Sequence, residues 1–514
     1  MKLAAPVNAS CEVEELFRAG ADELYCGFFD EKWQASYGRH DSMNRRQGEA
    51  NFSSWEDLKN TVSKAKSLGV PVYLTVNSRY SGSQYPAILS LIDRWRSIGG
   101  SGIIVRDIGL LYRLKKANAG KNLKITASLL IPAFNHYAVE MLREYGVSRV
   151  VFPRCLSIGE MKAVCSKNGD MEFEAMIMGD KCRMIDGFCR SIHAENYLSG
   201  CNKTCFSQID YSKGCVHLCM QYGAPQEDPC AVCSLPDLEA AGVSIGKTGG
   251  RGTPLYKRVE WLAFIKRSRE LSASKKKELY QSTFSHSCSC YYTDKAQPRF
   301  LPDCKSGYLP KNAAGHHSCP GAFGEIKAYL GKNAASGGKN VFVIPPVTPD
   351  HIEDFEEIID LISKRLNGNE AELVLNDYGA LAYCGKMKSG GNLSAKLTAG
   401  LLLSGQDTDP FYAFSERNES SENLLRHLSE PSIIFQKEFL SEYGISGIEL
   451  CRQPVEIKPF ASFCGDVNIR VYPFSVLSVK PCCGNCEKCR EKTVVRNGKS
   501  IISNKNMFIY TDSL

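Results

Sequence analysis

The chain has 514 residues, with 63 Lys and Arg against 56 Asp and Glu, a formal net charge of +7. Its apolar and charged fractions, 43% and 23%, are those of an ordinary globular protein, and the length suits two domains or more. So mild a charge does not demand nucleic acid, and it leaves a tRNA or rRNA substrate open.

The opening "MKLAAPVNASCEVEELF" is too short and too interrupted in its apolar residues for a signal peptide, and no run has the length of a membrane span. A cytoplasmic protein without membrane insertion is expected. In that reducing compartment the 23 cysteines are not expected to pair as disulfides.

Taken in chain order, short apolar strands alternate with amphipathic helices. The strands are "KLAAP" (2–6), "ELYCG" (23–27), "VYLTVN" (72–77), "GIIVRD" (102–107), "KITAS" (124–128), "RVVFPR" (149–154) and "EFEAMIM" (172–178). "VSIGKT" (243–248) supplies an eighth, followed by a helix in "PLYKRVEWLAFIKRSRELS". Strand–helix alternation with continuously apolar strands implies a buried parallel sheet. Residues 1–265 are therefore expected to form a TIM-like (β/α)8 barrel, with an open doubly wound sheet as the alternative. Residues 266–339, rich in Ser, Gly and Lys, read as a linker containing four cysteines. Residues 340–514 read as a smaller α/β domain, with strands in "NVFVIPP", "AELVLND", "SGIELC" and "VNIRVYPF".

In such a barrel the functional residues sit at the carboxyl ends of the strands. Asn77, Asp107, Ser128 and Arg154 are candidates on that ground. Asp107 reads equally well as a helix N-cap and Ser128 as packing. Arg154 is the strongest, because a cation directly after an apolar strand needs a carboxylate, a phosphate or a substrate beside it. Lys247 and Arg251 form a basic pair after the eighth strand. "AGVSIGKT" approaches a phosphate loop but lacks the glycines that let backbone N–H groups converge, which excludes nucleotide hydrolysis.

Eight cysteines fall between 182 and 233: Cys182, Cys189, Cys201, Cys205, Cys215, Cys219, Cys230 and Cys233. Gly, Asp, Lys and Asn surround them, so packing does not explain them, and thiolate is the natural ligand of zinc and of iron–sulfur clusters. The wide, irregular spacing favours a 4Fe-4S cluster. A second run, Cys482, Cys483, Cys486 and Cys489, contains C-x2-C-x2-C, the first part of a ferredoxin spacing. Its fourth ligand is Cys482, Cys464 or Cys451, and zinc is the alternative there. His316 and His317 in "AGHHSC" read either as half of a small zinc site or as polar linker.

The stretch from Glu174 through Gly179, Cys182, Gly187 and Cys189 to Ser191 resembles the signature of the collagenase-like U32 peptidase family, with Met176 in place of an aromatic residue. "NFSSWEDL", "IIVRDIGLL", "GVSRVVFPR" and "GVSIGKTGGRG" extend the resemblance over roughly 1–265. The family's name implies proteolysis. Its better understood members are iron–sulfur proteins of oxygen-independent hydroxylation, acting on tRNA uridine, rRNA cytidine or the ubiquinone ring, with prephenate as the implied oxygen donor. Carried over, Cys182 and Cys189 match the first two cluster ligands. The other two fall among Cys201, Cys205, Cys215, Cys219, Cys230 and Cys233. Arg154 with Lys247 or Arg251 would meet an anionic co-substrate, and Asn77, Asp107 and Ser128 would orient the substrate. Three functions follow as expectations: a hydroxylation enzyme, a peptidase, and a metal-stabilised assembly partner that pairs with a paralogue or with itself.

Overall fold

The structure is a computed structural model. It describes residues 1–37, 43–46, 48–117, 122–179, 185–188, 229–284, 292, 313–333, 340–366, 371–403, 437–451, 466–472, 475–479, 493–496, 499–504 and 507–512. The chain divides into two compact units: Met1–Ile131, Leu142–Asp186 and Ile192–Asp294 in the first; Pro132–Met141, Gly187–Ser191 and Lys295–Leu514 in the second.

The first unit holds eight parallel strands closed into a barrel: β1 (Lys2–Pro6), β2 (Glu23–Cys26), β3 (Val72–Val76), β4 (Gly102–Val105), β5 (Lys124–Ala127), β6 (Arg149–Val151), β7 (Glu172–Met178) and β8 (Ile245–Thr248). Closure comes from β1 on β8, with Lys2 opposite Ile245 and Leu3 opposite Gly246. Nearly every strand residue is buried, so these strands read as continuous apolar runs rather than alternating ones. Local signals set the helix starts. Before the helix Ile158–Lys167, Ser157 and Glu160 exchange side-chain-to-backbone bonds in a capping box.

The barrel interior is not uniformly apolar. Tyr25, Tyr73 and Ile104 cluster there, beside a charged layer centred on Arg149. Arg149 reaches Glu23 with two bonds of 2.6 and 2.9 Å, Glu172 at 2.9 Å and Glu174 at 3.4 Å. Lys247 completes the layer with a 2.6 Å bond to Glu174 and lies 4.0 Å over the Tyr25 ring. Buried charges of this kind are tolerable only because each meets its opposite.

The second unit is a half-barrel of six parallel strands in sequential order. These are β9 (Ala313–Gly315), β10 (Val341–Ile344), β11 (Glu372–Leu375), β12 (Lys396–Ala399), β13 (Ile445–Cys451) and β14 (Asn468–Tyr472). A four-stranded antiparallel sheet follows, formed by β15 (Ser475–Val479), β16 (Thr493–Arg496), β17 (Lys499–Asn504) and β18 (Met507–Asp512) in the order β15-β18-β17-β16. The expected linker, 266–339, differs from what is seen. It contains the helices Ala273–Phe284 and Ala322–Asn333 and the first strand of the half-barrel. Among the described residues no helix is long and apolar enough to cross a membrane.

Candidate functional site at the barrel mouth

β6 ends at Val151, and three residues later Arg154 makes a two-point ion pair with Asp186, its Nε 2.9 Å from Oδ2 and its Nη2 on Oδ1. Asp186 lies midway between Cys182 and Cys189 in sequence. The arginine singled out for following an apolar strand therefore has a carboxylate as its partner, and it holds Asp186 near the carboxyl end of β6.

β7 positions a second part of the segment. Its last turn is Gly179, at φ +72°, where an added Cβ would meet the Trp261 ring at 2.8 Å, so only glycine fits. Residues 229–231 run back antiparallel along the end of β7: Gly179 N–H donates to Pro229 O, and Ala231 N–H to Ile177 O. This brings the buried Cys230 beside Met178, and the Val232 N–H donates to its sulfur at 3.3 Å. Cys233 is exposed. Cys182, Cys189, Cys201, Cys205, Cys215 and Cys219 lie outside the described residues, as do Cys464, Cys482, Cys483, Cys486 and Cys489. Among the described residues no group of three metal-ligating side chains is assembled.

Arg251 is gripped at one end by neutral groups. Its Nη1 donates to Thr75 Oγ1 at 2.9 Å, Asn44 Oδ1 at 3.0 Å and Asn51 Oδ1 at 3.4 Å. The residue after β2 must be small to allow this. A Cβ on Gly27 would sit 2.0 Å from Asn51 Oδ1 and 2.3 Å from Arg251 Nη1. The loop carrying Asn44 is fixed in turn, with Asn77 Oδ1 accepting from Arg45 N–H at 3.0 Å and Tyr80 O–H donating to Met43 O.

The remaining candidates fall into place as follows. Asp107 accepts from Leu110 N–H at 2.7 Å, Tyr85 O–H at 2.8 Å and Tyr80 N–H at 3.3 Å, so it caps the helix Ile108–Ala117 and anchors the β3 loop. Burial pushes its carboxyl above the ordinary carboxylate range despite these three donors. Ser128 Oγ accepts from Leu130 N–H in the turn after β5. Lys247 points into the barrel interior, bound to Glu174. Arg154, Asn77 and Arg251 thus surround the mouth, Asp107 and Ser128 shape its loops, and Lys247 belongs to the charged layer below.

Sequence reasoning missed Asn44, Asn51 and Thr75, which act through their grip on Arg251 from distant positions. It also missed Arg106, buried at the end of β4, although the rule that found Arg154 applies to it equally. His316 and His317 form no zinc pair among the described residues. His316 Nδ1 accepts from Ser318 and Cys319 N–H, and His317 Nε2 bonds Glu449.

Fold and site together define a (β/α)8-barrel protein whose polar groups converge at the carboxyl ends of its strands. Residues 9–317 match the model of Peptidase family U32, and the chain belongs to that family. Among curated relatives, tRNA hydroxylation protein P of Haemophilus influenzae is 26% identical over 188 residues, 37% of this chain and 38% of the relative. Its Escherichia coli counterpart is 25% identical with the same coverage. A collagenase of Porphyromonas gingivalis is 25% identical over 221 residues, 40% of this chain and 48% of the relative. The matched stretch therefore spans less than half the length of each. Among solved structures, the U32 peptidase Mk0906 aligns over 49% of this chain and 93% of its own, at 11% identity and a TM-score of 0.32.

Proposed function

We propose that the chain is an iron–sulfur enzyme that hydroxylates, without molecular oxygen, an RNA base or a small quinone-like ring, using an anionic oxygen donor such as prephenate. The observation that carries this reading is the Arg154–Asp186 pair at the barrel mouth, since Asp186 lies between Cys182 and Cys189 in sequence, together with Cys230 at the end of β7. The relatives named for tRNA hydroxylation support it.

The donor set suits a cluster. Cys230 is buried and takes a backbone N–H on its sulfur, the kind of bond that tunes cluster sulfurs. Cys182 and Cys189, with two of Cys201, Cys205, Cys230 and Cys233, would hold it, and when bound it would supply electron exchange at the mouth. Arg251, oriented from behind by Thr75, Asn44 and Asn51, would receive a carboxylate of the donor. Asn77 fixes the loop whose Asn44 contacts this arginine, and Arg154 is engaged by Asp186 rather than offered to the substrate. A second cluster or a zinc ion belongs to Cys482, Cys483, Cys486 and Cys489. The collagenase relative favours a peptidase as the second reading.

Anaerobic purification with iron and zinc counted per chain tests the proposal. A visible iron–sulfur band with about four irons, or about eight for two clusters, is expected. Zinc alone overturns it, and gelatin cleavage that survives metal removal moves the assignment to the peptidase.

A further inference from the structure

The helix Ala273–Phe284 packs on the helix Leu255–Ser268 through aromatic rings. Tyr280 and Phe284 meet Phe264 edge-on, with centroids 5.7 and 5.2 Å apart, and lie 4.8 Å from each other. Positions four apart share a helix face, so 276, 280 and 284 form one inward row. The first of them is a lysine. Lys276 is 6% exposed, and among the described residues its ammonium has one hydrogen-bond partner, Val232 O at 3.4 Å. No carboxylate among those residues pairs with it.

A lysine often lays its stem along apolar surface and keeps its head in water. Here the head is buried too. A buried cation with one long bond to a neutral carbonyl lowers stability unless an anion completes its surroundings. The place of that carbonyl says which anion. Val232 stands between Cys230 and Cys233. Its N–H donates to the Cys230 sulfur at 3.3 Å while its C=O accepts from Lys276, so the backbone of one residue links sulfur to ammonium. The turn is held on its other side by the end of β7, through Gly179 N–H on Pro229 O and Ala231 N–H on Ile177 O.

A full set of thiolates outweighs the positive charge of the zinc ion or iron–sulfur core that it holds, so the finished centre is an anion. An added electron makes it more negative still, and a cation beside it favours that reduction. Granted the metal-holding role proposed for Cys230 and Cys233, we propose that Lys276 is the counter-charge of their metal–thiolate centre. It is a positioning residue that steadies the turn through Val232 O, stabilises the ligated thiolates and raises the reduction potential of a cluster bound there.

The test is Lys276→Met, which keeps the apolar stem and removes the charge. It is made in the full-length chain, and both it and its parent also carry Cys483→Ser and Cys486→Ser, so that the C-terminal run takes up no metal. Without metal the variant is expected to melt at or above the temperature of its parent, because an unpaired buried cation has gone. Cobalt(II), titrated against a competing chelator and read by its thiolate absorption, is expected to bind at least tenfold more weakly. After anaerobic reconstitution with iron and sulfide, the midpoint potential is expected to fall by about 59 mV or more, tenfold in a one-electron equilibrium.

Equal cobalt affinities or equal midpoint potentials overturn the proposal. So does a metal-free variant that melts below its parent, which would make Lys276 a plain structural residue, and so does a cobalt band indifferent to Cys230→Ser. A chain that binds cobalt but accepts no cluster sinks the hydroxylation reading alone, and the cobalt affinities then decide the role of Lys276.

Discussion

Arg149 and Arg154 leave the same short strand for different tasks. Arg149 is 2% exposed and its charge is spent on Glu23, Glu172 and Glu174 inside the barrel. Truncating one member of a buried ion network strands the others, so Arg149→Ala is expected to lose roughly 3–5 kcal/mol, measured by urea unfolding. Arg154 sits at the mouth, and its partner Asp186 is flanked by two of the proposed cluster cysteines. If that reading holds, Asp186→Asn lowers iron retention about 10–100-fold, the usual effect of losing a group that orients ligands, with the far-ultraviolet spectrum of the barrel kept. Asp377 makes a third case. One oxygen accepts from Asn135 and from Ala380 N–H, while the other is buried with no partner. Burial raises its pKa to about 6. Its native carboxyl therefore keeps a proton that the unfolded chain has already lost. The stabilisation is full below the ordinary carboxylate range and disappears as pH climbs through about 6, a change of roughly 3 kcal/mol. Asp377→Asn, which gives the orphan position an amide, is expected to be the more stable protein at pH 7 and to lose this slope in a pH series of melting curves. Single residues were legible where a local rule applied, as at Arg154. Asn44 and Asn51 escaped because their role is a contact with Arg251, some two hundred positions away.

Strands of the barrel are visible in the sequence because burial on both faces leaves uninterrupted apolar runs of the right length. Two strands of the half-barrel are not. β9 is Ala-Ala-Gly, three residues without a branched or aromatic side chain, and β12, Lys-Leu-Thr-Ala, has the composition of a loop edge. Both are held by their neighbours, β9 by β10 and β12 by β11 and β13, so only the sheet reveals them. The ends of strands matter more for chemistry than their centres. Gly27 shows why: Gly27→Ala drives a methyl into the Arg251–Asn51 contact. Overpacking of this kind costs about 1–3 kcal/mol, and it displaces the arginine that the proposed reading assigns to the anionic donor. Isothermal titration with prephenate is expected to show binding by the wild-type chain and at least a tenfold loss in Gly27→Ala.

Taken whole, the chain contains two compact units, each with its own parallel sheet and its own buried ion network, one centred on Arg149 and the other on Glu449. Chains with more than one such core depart from all-or-none unfolding. Scanning calorimetry is therefore expected to give a measured enthalpy larger than the van't Hoff enthalpy of the same transition. A single two-state peak would show that the units melt as one. Barrel closure also has a cost in time. β1 finds β2 early, but its other edge waits for β8, whose first paired residue, Ile245, follows Lys2 by more than two hundred positions. At translation rates of about 5–20 residues per second, that edge stays open for roughly 12–50 s while the chain leaves the ribosome. An unpaired strand edge is a template for sticking to other chains. Nascent chains stalled before β8 are thus the species most in need of a chaperone, and the rest of the molecule's life begins when Lys2 and Ile245 meet.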